Sequence, residues 1–452
     1  MWLKIAYERG SIMGYKKYTL EPTDENILKS IKEDTFKRSD DIKNFIEGLD
    51  MIESNVFIGL DARWGEGKTF FVRQIETTLK YLYKKRFNLE EKKSDSNKKE
   101  INDAFSNSIL RNIELKKLYK PIYYNAWLYD YHNDPLISLL HVLIKKSGKC
   151  ISTEIDSKKI SEKLISIVSS FSLSIPFLEV NFENLNENDI LEEIKTAEDI
   201  RETVKEILNE IIVENTEKLV IFIDELDRCR PDFAIAILER MKHYFDDDRI
   251  IFVVSVNKEQ LIHTISKYYG EQFDSTAYLN KFFDINMHLP VISKQLKKSI
   301  ITKSKNNQSN LENIVGELSE YYNLSLRDTM IFKQNVESSL KKYYNDHTIE
   351  GRLLSMFVPI ILVLDIVNQE KKYQFLEGKG DIFEEICANL PSFKTVICEF
   401  SLNNLVNDEN LEFWFEKINI AYKECFSNKT YDSKFNFKRN LKKICISVCN
   451  EL

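Results

Sequence analysis

Glycine and proline are scarce, with 12 and 8 residues in a chain of 452. So few turn-formers exclude a turn-rich all-β or low-complexity chain and favour long helices with few tight turns. Histidine is sparser still. The six residues (His132, His141, His243, His263, His288 and His347) form no His-Glu-x-x-His pair. Gly-x-Ser-x-Gly is absent, and no carboxylate-lysine cluster has nuclease spacing, so zinc-protease, hydrolase-elbow and nuclease chemistry find no residues here. Seven irregularly spaced cysteines argue for reduced thiols in a cytoplasmic setting rather than a disulfide framework. Cys445 and Cys449 share a helix face but lack a second ligand pair, and read as buried thiols. No apolar run reaches the roughly 20 residues a membrane span needs. Leu164–Leu178 is uncharged but contains five serines and a proline, and Leu353–Leu364 stops at Asp365. Both read as buried protein, so no membrane span is expected. Nor does Met1–Met13 have the apolar core of a signal peptide. The net charge of −7 does not advertise nucleic-acid binding, although a local basic patch remains open.

What the chain does have is concentrated at Asn55–Phe71, NVFIGLDARWGEGKTFF. The apolar run Val56–Leu60 predicts a strand, Gly67-Lys68-Thr69 a turn, and the residues after it a helix. Backbone N–H groups of such a loop form a nest for phosphate oxygens, at the positive end of the helix that follows. Lys68 is placed to reach β- and γ-phosphates, and Thr69 to bind Mg²⁺. Gly65 and Gly67 allow close backbone approach. The nucleotide-binding candidates are Arg63, Trp64, Gly65, Glu66, Gly67, Lys68, Thr69 and Phe70. The pattern G-x-x-x-x-G-K-[ST] lacks its first glycine, where Ala62 stands.

A second stretch answers the first. Leu219–Ile223 is the apolar run of a strand buried on both faces, and it ends in Asp224-Glu225. Asp224 is placed to hold Mg²⁺ with Thr69, and Glu225 to polarise the water that attacks a γ-phosphate. The competing reading is an acidic turn at a helix start.

These stretches carry a family resemblance. DARWGEGKT, YYNAWLYDYHNDPLISLL and IFIDELDRCRPDFAIAILERMK resemble the KAP family of P-loop NTPases, with weaker echoes in YLNKFFDINMHLP and LSLRD. The resemblance covers roughly residues 35 to 330. It implies an α/β fold: a P-loop NTPase core with a mostly parallel sheet covered by helices, followed by an all-helical C-terminal region. It also implies an ATPase of the additional-strand class, with ATP and Mg²⁺ as ligands. Some bacterial members act in resistance to phage. The departures are Ala62 and the lack of a clear membrane insertion.

The expected organisation is a leader over 1–33, the core over 34–290 with an insertion at about 150–200, and a helical lid or partner-binding region over 291–452. Ile42, Phe45, Ile46 and Leu49 give Asp34–Leu49 helical spacing, and a helix in that place, ahead of the first strand, often covers the adenine side of such a site. Arg38 reads as a solvated surface residue, with nucleotide contact as the alternative. Lysine, glutamate and serine make Arg86–Asp103 a solvated loop. Alternation at Phe171–Phe182 around Pro176 suggests a β-hairpin or a bent strand that makes subunit or partner contacts. Packing is the role expected of Trp127. Arg249–Asn257 is a strand that the additional-strand class places between the other two, with Asn257, then Ser255, as the residue facing γ-phosphate. Asn257-Lys258-Glu259 ends in Gln260 rather than the guanine-pairing aspartate, which favours ATP over GTP. Arg327, at a helix start, is the candidate that reaches back to γ-phosphate. Arg228 and Arg230 read equally as fingers for a neighbouring subunit or as partners of Asp227.

The function read from this is an ATP-hydrolysing switch that couples nucleotide state to homo-oligomer assembly or a partner effector protein, with phage defence as the output the family suggests. Two alternatives stand beside it, a non-hydrolysing nucleotide-binding scaffold and a DNA-stimulated motor. The carboxylate of Glu225 argues against the first. The charge and the lack of an aromatic-basic strip argue against the second.

Overall fold

The computed structural model describes residues 21–87, 95–132, 134–147, 163, 167, 187–212, 217–290, 292, 309–340, 349–399, 408–427 and 445. These separate into two compact units that divide after Pro290. Residues 1–20 of the expected leader and the expected hairpin at 171–182 lie outside the described residues, as does all of Leu164–Leu178 but Ile167, while residues 24–33 of the leader are helical.

The first unit is built on five parallel strands: β1 (Val56–Asp61), β2 (Tyr119–Asn125), β3 (Lys218–Asp224), β4 (Ile250–Val256) and β5 (Ile285–His288). They are ordered β2-β3-β4-β1-β5. β4 therefore lies between the strand that enters the phosphate loop and the strand that ends in Asp224. Every residue of β3 and β4 is buried, as expected of central parallel strands with helices on both faces. Parity divides them between two layers. Leu219, Ile221, Ile223, Phe252 and Val254 join one apolar cluster with residues of α5 (Pro135–Ser147), α6 (Glu187–Ile211), α7 (Pro231–Tyr244) and α8 (Lys258–Tyr269). On the other side α3 (Lys68–Phe87) packs against β2, β3 and β4, and is itself flanked by α1 (Asp24–Glu33) and α2 (Ser39–Leu49). A short helix α9 (Ser275–Asn280) precedes β5.

The expected loop at Arg86–Asp103 is instead largely helical. α3 runs to Phe87, and α4 covers Asp95–Ser106. Composition misleads here because, among the residues of α4 whose burial is described, only Ala104 and Phe105 are buried. The Phe105 ring stacks on Tyr81 with centroids 4.1 Å apart. That contact, invisible in the local charge pattern, anchors a helix that is otherwise polar.

The second unit is helical throughout its described part: α10 (Ser309–Tyr321), α11 (Leu326–Leu340), α12 (Ile349–Val367), α13 (Gln369–Leu376), α14 (Ile382–Asn389), α15 (Pro391–Glu399) and α16 (Asp408–Phe426). Its core centres on Phe357, whose ring meets Phe375, Phe383, Tyr422 and Phe426. Leu353–Leu364 belongs to α12 and is buried in that core almost throughout. Among the described residues no helix is long and apolar enough to cross a membrane, and no cluster of histidine, cysteine and acidic residues could hold a metal.

Gly59 in β1 leaves room for the ring of Phe283, since a Cβ there would stand 3.0 Å from Phe283 Cγ. Gly59→Val is expected to destabilise the first unit by about 1–3 kcal/mol through overpacking, read as a lower denaturation midpoint with an unchanged slope.

Candidate functional site

The site forms where β1 and β3 end. After Asp61 the backbone turns through Ala62–Gly67, and Gly65 and Gly67 adopt φ of 82° and 85°. L-residues disfavour that region, so the glycines are there for the turn. Ala62, which replaces the first expected glycine, is unstrained because its φ is not positive and its N–H donates to Val256 O at 3.2 Å. The loop delivers its amides to the start of the 20-residue helix α3. The Lys68 ammonium lies across the loop and donates to Ala62 O at 2.6 Å. Burial lowers the pKa of Lys68, opposed by the charges of Asp227, Asp224, Glu225 and Asp61. Of the remaining loop candidates, Arg63 is exposed, Trp64 is half-exposed, and Phe70 is buried edge-on against Phe36.

Asp224 is the last residue of β3 and is 1% exposed. Burial raises its pKa, countered by the hydrogen bonds that hold the charged form. The Tyr123 hydroxyl donates to Oδ2 at 3.0 Å and the Glu225 N–H to Oδ1 at 3.0 Å. Thr69 also lowers the pKa of Asp224. So does the fully buried Ser255 hydroxyl, though without completing a hydrogen bond of full geometry. Glu225 follows in a left-handed conformation, φ 62° and ψ 26°, which a non-glycine residue adopts only where surrounding structure holds it. Thr69 Oγ1 donates to Glu225 Oε1 at 3.2 Å, and Arg228 Nε pairs with Oε2. The pKa of Glu225 is raised, first by burial and then by Asp224, while Arg228 acts in the opposite sense.

Lys68, Thr69, Asp224 and Glu225 thus converge in one place. The residues expected at the strand ends are arranged differently. Asn257 lies beyond β4, and its side chain caps α8 by accepting from Gln260 N at 3.4 Å. Ser255, inside the strand and paired in register with Leu60, is the one beside Asp224. Arg327 is exposed at the second position of α11, in the other unit.

Several contributors escape a reading of the motifs alone. Tyr123 shares strand parity and a sheet face with Asp224, because β2 and β3 pair with Asn125 opposite Asp224. Its ring carries the Arg73 guanidinium, from the phosphate-loop helix, at 4.7 Å, and the Lys146 ammonium at 5.4 Å. Burial lowers the Lys146 pKa to about 8. The β2–β3 register, had it been known, would have pointed to Tyr123. Arg38 is not a solvated surface residue. It is 3% exposed, donates to Glu66 O at 3.2 Å and Pro290 O at 3.0 Å, and lies 5.9 Å from the centroid of Phe71. Burial lowers its pKa to about 10, offset by Asp41 and Glu66. It ties the phosphate loop to the chain just after β5. Trp127 lies in the 3-10 turn Ala126–Tyr129, 52% exposed, with Arg228 5.4 Å from its ring centroid. Packing is therefore a minor part of its role. The Trp64 indole N–H donates to Asp227. Arg230 is engaged elsewhere, donating to Asp130 O at 2.9 Å and pairing with Asp232 at 3.7 Å.

The oxygen donors Thr69 and Asp224 are the hard ligands that Mg²⁺ prefers. The positive-φ glycines and the start of α3 suit a phosphate chain. The residues present therefore fit both groups.

Arg38→Ala removes the donor to two loop carbonyls. The expected loss of stability is about 1–3 kcal/mol, measured by chemical denaturation.

The KAP family P-loop domain matches the chain over residues 23–350, well over half of its length. No curated protein matches the chain.

Proposed function

The chain belongs to the KAP family of P-loop NTPases, and on that premise we propose that it binds ATP with Mg²⁺ and hydrolyses it as a switch. The observation that carries the reading is the meeting of Thr69 with Glu225 at 3.2 Å, beside the buried Asp224 and the ammonium of Lys68. A scaffold that only holds nucleotide has no use for a carboxylate kept in a left-handed turn at this position. The absence of an Asn-Lys-x-Asp sequence, with Gln260 in its fourth position, favours adenine over guanine.

In this reading the amides of Gly65–Thr69 and the start of α3 bind the phosphates. Lys68 leaves the Ala62 carbonyl and holds β- and γ-phosphate oxygens as a point charge. Thr69 and Asp224 are the residues that would hold Mg²⁺. When bound, the ion neutralises phosphate charge that otherwise repels the attacking oxygen. Tyr123 and Ser255 favour the charged form of Asp224 against the burial that raises its pKa. Glu225 orients a water and takes its proton as the oxygen attacks phosphorus, and the β-phosphate leaves with the electrons of the broken P–O bond. Burial strengthens Glu225 as a base by raising its pKa. The helical unit is the part proposed to read nucleotide state and to pass it to a second copy or a partner protein.

The test is Mg²⁺-dependent phosphate release by wild type beside two variants. Lys68→Ala is expected to lose ATP binding and turnover together. Glu225→Gln is expected to bind ATP within a few-fold of wild type, with turnover reduced on the order of 10²-fold or more. Equal turnover by Glu225→Gln and wild type would remove the reading.

A further inference from the structure

Glu225 has two carboxylate oxygens and both are engaged. Oε1 accepts from Thr69 at 3.2 Å, and Oε2 is paired with Arg228. The two partners differ in kind. Thr69 belongs to the phosphate loop, so ligands bound by that loop act on it directly. Arg228 belongs to the 3-10 turn Leu226–Arg228 that follows Glu225, and no part of the phosphate loop touches its guanidinium in the contacts described. Its N–H closes the turn by donating to Glu225 O at 3.2 Å. Its guanidinium lies between the Glu225 carboxylate and the half-exposed ring of Trp127. A base must direct a free lone pair at the water it activates. A guanidinium donating to that carboxylate competes for the same oxygen and fixes the rotamer of the side chain.

We propose that Arg228 is a positioning residue that restrains Glu225 in cis, with Trp127 as its platform, and that displacement of Arg228 sets the rate of ATP turnover. This rests on the reading of Glu225 as the base. The restraint is removable. The Arg228 side chain is 31% exposed, and ion pairs and cation–π contacts at such exposure are individually weak. Trp127, at 52% exposure, presents the handle on the surface. The same turn is gripped from the phosphate-loop side, where Trp64 donates to Asp227. The residues after Glu225 are therefore held by two half-exposed tryptophans, one from the loop and one from the end of β2.

The test compares steady-state kcat and KM for ATP, with saturating Mg²⁺, in the full chain. Arg228→Ala is expected to raise kcat about five- to tenfold, with KM within twofold of wild type. Arg228→Lys, which keeps a cation beside Oε2, is expected to stay near wild type. Trp127→Ala, which leaves the arginine and removes its platform, is expected to raise kcat part of the way, and Trp127→Phe to restore it. The double variant Arg228→Ala/Glu225→Gln is expected to be as slow as Glu225→Gln alone, because the gain passes through Glu225. A fall or no change in kcat for Arg228→Ala, in a wild type that turns over, overturns the proposal. A fall would instead make Arg228 an aid to phosphoryl transfer. If Arg228→Ala fails to fold by thermal melt, Trp127→Ala and Trp127→Phe decide alone, and no gain from Trp127→Ala overturns the proposal. If neither wild type nor any variant turns over while all bind ATP, the base assignment falls and the restraint falls with it.

Discussion

One buried carboxylate imposes order on the first unit. Asp224 ends a strand with no exposed residue, and an ionised oxygen there is costly unless hydrogen bonds replace the lost water. The donors are Tyr123 on β2 and the amide of Glu225, and the hydroxyls of Ser255 and of Thr69 at the start of α3 also favour the charged form. Each must be at its post together with the others. The parallel register of β2 with β3 brings Tyr123 within reach, and the packing of α3 on β2 and β3 brings Thr69. The left-handed turn at Glu225 points its N–H back at Asp224. Disturbing any of these leaves a buried charge short of a partner, and such a loss costs more than forming the bond contributes.

Around that carboxylate stands a ring of cations that do not touch it. Arg73 and Lys146 lie against Tyr123, Lys68 crosses the loop, and Arg228 holds Glu225. Arg38 belongs to the outer edge of the same arrangement, where it ties the loop carbonyl of Glu66 to Pro290. The acids and bases are interleaved, an arrangement that suits the proposed ligand, which brings both anionic phosphates and a divalent cation. A basic pocket alone would trap phosphate without Mg²⁺, and an acidic one alone would trap the ion without phosphate.

Much of this was legible in the sequence. The phosphate-loop strand, the strand ending in Asp224-Glu225 and β4 follow as strands from continuous apolar runs, because central parallel strands bury both faces, whereas the place of β4 between the other two is what the family resemblance implies. The start of α3 follows from Gly67-Lys68-Thr69. The rest depends on distance in the chain. Tyr123 reaches Asp224 across 101 residues, and Arg38 reaches Pro290 across 252. Neither pairing leaves a local periodicity, so Arg38 looks like any surface arginine. The helix α4 hides for a related reason, since its anchoring ring, Phe105, finds Tyr81 on another helix. Trp127 misleads in the opposite direction. Its size suggests a core residue, but the 3-10 turn that follows β2 carries it to the surface beside Arg228. Asn257 shows how a polar residue near a strand end can be taken by the nearest helix. It caps α8, and the shorter Ser255 remains beside Asp224.

The claim at the centre is that Glu225 directs water, and no other acceptor, at a γ-phosphate. Turnover of ATP and Mg²⁺ by the full chain in ¹⁸O-labelled water, with mass analysis of the phosphate released, addresses that step itself. The account predicts phosphate that carries solvent oxygen, formed by wild type and lost with Glu225→Gln. Unlabelled phosphate, or labelled phosphate formed equally by Glu225→Gln, would contradict it.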